Sequence, residues 1–166
     1  GNENLFVNKW SVIIKQKNSS SGQMKKILKF WKLLGSKTVI MDSEQHDKIF
    51  AITSHLPHLI AYNLILTATN FKSLNKNNIL KFSAGGLRDF SRIAASNEIM
   101  WRDIFFNNKE NMLKVIDLFI KNLKIFKYDI KKNKKSLETK LRKLKKVRQK
   151  IVLLKQDTSK PDFGRI

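Results

Sequence analysis

The residues able to do chemistry gather in two short stretches. All three histidines, His46, His55 and His58, fall between positions 46 and 58, and Ser54 lies among them in the run Thr53-Ser54-His55-Leu56-Pro57-His58. Imidazoles ligate metals, move protons and bind anions. A metal centre needs convergent ligands. His55 and His58, three residues apart, share a helix face. His46, however, lies about 18 Å from His58 along a straight helix rising about 1.5 Å per residue. Neither HExxH spacing nor a cysteine accompanies them, so no metal site is expected. Each histidine alone reads as an ordinary helix residue with ordinary partners; their clustering beside Pro57 points to a pocket.

The second stretch is Ala84-Gly85-Gly86-Leu87-Arg88-Asp89-Phe90-Ser91-Arg92. Two glycines at a helix start let a ligand come close to the backbone, and unsatisfied N–H groups there favour anions. Arg88 and Arg92, four residues apart, can face one site. A guanidinium grips a carboxylate with two parallel hydrogen bonds. The competing reading is a helix cap with an Arg–Asp surface pair. No GxGxxG and no GxxxxGK[ST] occurs, and the chain has six glycines with one adjacent pair. Nothing in it cradles a pyrophosphate in the usual way.

These residues need elements to hold them. Residues 10–15 (WSVIIK) read as a buried strand, and Asn18-Ser19-Ser20-Ser21-Gly22 as a loop. Met24, Ile27, Leu28, Trp31 and Leu34 give one apolar helix face ending at Gly35, a C-cap residue. Residues 38–41 read as a second strand, completing a strand–helix–strand unit. Asp42 with Gln45 resembles a capping box. The helix that follows meets Pro57, which should kink or restart it. Residues 59–69 form a nearly all-apolar helix, expected to be buried on both sides. Residues 72–78 read as a polar loop, and the glycine pair as a break before a helix at 87–95. Ser96 and Asn108 are placed to cap two further helices. Leu137, Leu141, Leu144, Val147, Ile151 and Leu154 step by three or four along a last amphipathic helix with a coiled-coil-like seam, forming an antiparallel hairpin with its predecessor.

Composition sets outer limits. The chain has 166 residues, net charge +21 and no cysteine, which excludes a disulfide framework. The excess charge is mostly lysine at helical spacing, and aromatics do not interleave with the densest basic stretch, residues 131–150. That favours solvated helix faces over a nucleic-acid interface, though the field still steers anionic ligands. No uninterrupted apolar run reaches the roughly 18 residues of a membrane span, and no signal peptide is visible. A cytoplasmic location without a membrane partner is therefore expected. The polar start without an initiator Met suggests that the sequence begins inside a longer gene product.

A resemblance joins these pieces. His46-Asp47, Ser54-His55-Leu56-Pro57-His58, Gly85-Gly86-Leu87-Arg88-Asp89-Phe90-Ser91-Arg92-Ile93-Ala94 and Met100-Trp101-Arg102-Asp103-Ile104, in this order and spacing, are similar to the dimerisation domain of the prephenate dehydrogenase family. The tail, Gln156-Asp157-Thr158 with Pro161-Asp162-Phe163-Gly164-Arg165, resembles the bacterial cyclohexadienyl dehydrogenase branch. Leu87 departs from the pattern, standing where an aromatic is common.

The resemblance implies a mostly α fold. A helical substrate-binding and dimerisation domain, residues 42–166, would be preceded by the last strand–helix–strand segment of an α/β nucleotide-binding domain, residues 1–41. It implies an enzyme that transfers hydride from prephenate or arogenate to NAD or NADP, with loss of CO₂ and aromatisation to 4-hydroxyphenylpyruvate or tyrosine. The catalytic histidine and the glycine-rich loop would lie upstream of Gly1, so this chain alone should be inactive and holds no catalytic residue. Arg92 would pair with a substrate carboxylate; His58, His55 and Ser54 would line the pocket, with His46 nearby. Gly85, Arg88 and Trp101 would shape its far wall. A homodimer is implied, with pocket residues drawn from both subunits. A dianionic substrate suits a pocket of arginine and histidine. The alternatives are a basic helical nucleic-acid-binding protein or a helical interaction module.

Overall fold

A computed structural model of the chain describes residues 4–71 and 81–154. The expected loop at 72–78 and the tail motifs at 156–158 and 161–165 lie outside them.

Strand β1 (Trp10–Ile14) pairs in parallel with β2 (Lys37–Met41), Trp10 opposite Lys37 and Ile14 opposite Met41. Helix α1 (Ser21–Leu33) makes the crossover, because parallel neighbours need a long connection. Ser20 caps α1 with a full capping box: its hydroxyl accepts from Gln23 N, and Gln23 returns a bond to Ser20 N. Gly35 ends the turn at φ +82°, with Gly35 N bonded to Lys32 O and Ser36 N to Trp31 O. That is the Schellman arrangement, in which glycine takes the left-handed position. A Cβ there would also meet Val7 at 3.1 Å.

Asp42 Oδ1 accepts from Gln45 N at 2.7 Å and starts α2 (Ser43–Phe50). The disruption expected at Pro57 falls just before it. Residues Ala51–His55 form a π-helical turn, closed by Leu56 N on Ala51 O, and α3 (Leu56–Thr69) continues directly. A proline removes one N–H and crowds the carbonyl four residues back, and a widened turn at that place absorbs both effects.

The result is one continuous helix, Ser43–Thr69, of 27 residues. An 18-residue window within it has mean hydropathy 1.4, so by length and composition it could cross a membrane. That corrects the count made from uninterrupted runs: Ser54, His55, His58 and Asn63 break the run without lowering the average enough. The expectation that α3 is buried on both sides is also corrected. Only Ala61 is buried among its residues, and Leu66 is 54% exposed. The apolar surface is there, but this chain alone does not cover it.

Helix α4 (Gly85–Ser91) includes both glycines in its first turn rather than following them, and a 3₁₀ turn, Arg92–Ala95, continues it. Then come α5 (Glu98–Asn107), α6 (Lys109–Lys131) and α7 (Ser136–Leu153). Asn133, at φ +48°, supplies a second left-handed helix end, with Asn133 N on Ile130 O and Lys134 N on Asp129 O. The chain turns back there. Lys140 pairs with the buried Asp129 and lies over the Phe126 ring at 5.2 Å. Farther along α7, the expected seam residues Leu141, Leu144, Val147 and Ile151 are exposed.

The chain divides into two compact units, Gly1–Pro57 with Glu98–Met112, and His58–Asn97 with Leu113–Ile166. Ile13, Ala51, Trp101 and Met112 are buried in the first, and Ala61 and Val115 in the second.

Candidate functional site

The expected site residues fall in both units, and each set is described on its own. His46, Ser54, His55 and Trp101 belong to the first unit; His58, Gly85, Arg88 and Arg92 belong to the second.

In the first unit the continuous helix carries the histidines. His46 stacks on Phe50 with ring centroids 4.3 Å apart, and its Nδ1 lies 2.9 Å from Asp47 Oδ1. Ser54 and His55, both half-buried, occupy the end of the π turn. The His55 ring stands edge-on to Trp101, 6.2 Å between centroids at 77°. Trp101 is buried on α5 and leans on Phe105 at 5.6 Å. Next to it Arg102 Nε donates to Asp103 at 2.8 Å, and that hydrogen bond, with the Asp103 charge, holds the exposed Arg102 guanidinium above its ordinary range.

Sequence reasoning assigned Asn108 as a helix cap. The structure gives its side chain other work. Asn108 is buried at the junction of α5 and α6. Its Nδ2 donates to the Asp47 carbonyl at 2.8 Å and lies 3.2 Å from His55 Nδ1, while its Oδ1 accepts from Asn111 Nδ2 at 2.8 Å. Asn108 and Asn111 thus stand beside the candidate site residues together with Asp47 of the His46-Asp47 pair, and no local sequence pattern marks the contacts of the two asparagines, because the helix segments Asn108 connects are far apart in the chain.

In the second unit His58 is half-buried in the first turn of α3. Tyr62, one turn on, donates to Ser96 O at 3.2 Å and ties α3 to the chain just before α5. Gly85 is buried at the start of α4, and Ala84, the N-cap, offers no side-chain bond. A Cβ added at Gly86 would meet no atom of this chain within 4 Å. Arg88 and Arg92 are exposed on successive turns, and the Arg92 N–H bonds Arg88 O. Among the described residues neither guanidinium has a carboxylate partner, so the Arg–Asp surface pair is not formed and both charges are available to an anion.

The α/β segment does not fit a dinucleotide. The turn from β1 to α1, residues 15–20, contains no glycine, and Gln23 N is already taken by Ser20. A pyrophosphate needs close backbone approach and free amides at that turn.

Residues 42–155 match the family model described as the dimerization domain of prephenate dehydrogenase. The chain is 41% identical over 98 residues to the cyclohexadienyl dehydrogenase of Zymomonas mobilis, which covers 59% of this chain and 33% of that protein. It superimposes with TM-score 0.82 and 35% identity on a prephenate dehydrogenase from A. aeolicus solved in complex with hydroxyphenyl propionate and NAD⁺, covering 89% of this chain and 52% of that one. The arogenate dehydrogenase of Synechocystis shares the fold, with TM-score 0.79 at 23% identity over 89% of this chain and 54% of that one. The chain spans about a third of the curated relatives' length and about half of these solved chains. With the histidine-bearing helix, the glycine pair, both arginines and Trp101 all inside the matched region, the chain belongs to the prephenate dehydrogenase family and carries its dimerization domain.

Proposed function

We propose that this chain forms the substrate-side and dimer-forming part of an NAD(P)-dependent dehydrogenase acting on prephenate or arogenate. The supporting observation is that Ser54, His55, His58, Arg92 and Trp101 all fall within the residues matched to the family's dimerization domain. In this reading the nicotinamide cofactor accepts hydride from the ring as CO₂ leaves and the ring aromatises. It is held by the share of the relatives' length that this chain does not span.

The chain's own residues bind and orient. Arg92, exposed and without a carboxylate partner among the described residues, takes a substrate carboxylate. His55, His58 and Ser54 supply hydrogen bonds to the remaining polar groups, and His46 stands more than two turns before them on the same helix. Trp101 presents an apolar wall beside His55, and Gly85 and Arg88 complete the anionic side. The apolar faces of α3, α6 and α7 pair with a second copy rather than with lipid, since a single chain of a pairing domain exposes its partner face. We place the domain division at residue 42 and the protein in the cytoplasm.

The test joins this chain in frame to the nucleotide-binding portion of the Zymomonas relative. Prephenate- or arogenate-dependent NADH or NADPH formation is expected. A folded chimera that binds the cofactor but turns over neither substrate would overturn the reading.

A further inference from the structure

The buried Asn108 amide is oriented without ambiguity. The Asp47 carbonyl, 2.8 Å from it, can only accept, so the NH₂ end must face that oxygen. Reversing the amide would set two oxygens against each other. The Asn111 amide on Asn108 Oδ1 completes the same orientation. One Nδ2 hydrogen is therefore spent on Asp47, and the second faces His55 Nδ1 at 3.2 Å. A neutral imidazole has one N–H and one lone pair. With a donor already facing Nδ1, the lone pair must be there and the hydrogen on Nε2.

The π turn makes this bridge possible. From Asp47 to His55 an α-helix would turn about 80° beyond two full turns, at about 100° per residue. One residue absorbed in the wider turn Ala51–His55 brings the two within about 20° of the same face. One amide can then reach both.

We propose that Asn108 is a positioning residue that locks His55 in the Nε2–H tautomer, so that the ring offers a ligand a donor and not an acceptor. A donor is what a carboxylate or carbonyl oxygen of a cyclohexadienyl acid requires. The ligand half of this inference rests on the function proposed above; the tautomer half does not.

The chain has only three histidines, so ring-¹⁵N histidine labelling of the whole chain gives three spin systems. Long-range ¹H–¹⁵N correlation at alkaline pH reads each tautomer, and His55→Gln identifies the His55 signals. In the wild type, His55 should be protonated on Nε2 in at least a tenfold excess. Asn108→Asp, which can only accept, should invert the preference. Asn108→Ala should give a mixture, with the His58 signals unchanged as a control on folding. A wild-type His55 protonated on Nδ1 overturns the proposal on its own, whether or not the variants fold. So does an Nε2–H preference that persists in folded Asn108→Asp. Adding prephenate separates the two halves: shifted His55 signals support the donor role. Unmoved signals with the tautomer as expected remove the pocket reading and leave Asn108 as the residue that orients the ring.

Discussion

Removing Lys140 should destabilise the protein more than neutralising its partner, Asp129. The two side chains form an ion pair where α7 folds back on α6, and they differ in their access to water: the Asp129 side chain is 7% exposed and that of Lys140 33%. Lys140→Met strands a carboxylate that is shut away from solvent. Removing one partner of a buried pair costs about 3–5 kcal/mol, and because this lysine is partly hydrated the lower end, about 3 kcal/mol, applies. Asp129→Asn leaves an ammonium that already touches water and still lies over the Phe126 ring, 5.2 Å from its centroid. That change should cost about 1 kcal/mol, the worth of an ordinary hydrogen bond. The double variant should be no worse than Asp129→Asn, a coupling of about 3 kcal/mol. Urea unfolding followed by circular dichroism, with unchanged slopes, measures all four species. Salt should not alter the ranking, since a sequestered pair is weakly screened. If Lys140→Met cost no more than Asp129→Asn, the argument from unequal burial would be wrong.

Three other outcomes are expected. In the chimera, Arg92→Ala should raise the Michaelis constant for prephenate or arogenate by about 30- to 150-fold, equivalent to about 2–3 kcal/mol for a charged contact; an unchanged constant for both would remove Arg92 from the site. Sedimentation equilibrium of the chain at micromolar concentration and moderate salt should find a homodimer, and monomer alone would count against pairing through α3, α6 and α7. Calorimetric titration of this chain with NAD⁺ and NADP⁺ should find no saturable binding, because the β1–α1 turn lacks glycine and free amides; clear saturation with either would show that the turn had been misjudged.

What the sequence announced was local. The strand–helix–strand unit, the left-handed Gly35 and the Asp42 cap each rest on signals within a few residues. Pro57 announced a disturbance but not its form, because a π turn has no residue pattern of its own and arises from what the proline forbids. Asn108 does stand directly before α6, where its carbonyl accepts from Met112 N, but two of its side-chain partners, Asp47 and His55, lie 61 and 53 positions away, beyond the reach of any local pattern. The apolar helix α3 misled because periodicity reports that a surface must be covered and not by which molecule. The same blindness made its run look too short for a membrane when its average was not. Of the site residues, the types and rough placement of His55, Trp101, Arg88 and Arg92 were readable in order along the chain; the amide that orients His55 was not.

The short roster of buried side chains, with Leu113, Leu118, Leu123, Leu141 and Leu144 all exposed, ties the life of this protein to its abundance. In the proposed dimer much of the folding free energy resides in association, and each tenfold dilution of protomer removes about 1.4 kcal/mol from the assembled state. A substitution at Leu118 or Leu144 would then pass unnoticed in a strongly expressed strain and behave like a core defect in a weakly expressed one. Gene dosage, promoter strength and the presence of a second, slightly different copy able to form mixed pairs would each shift the threshold at which such variants fail.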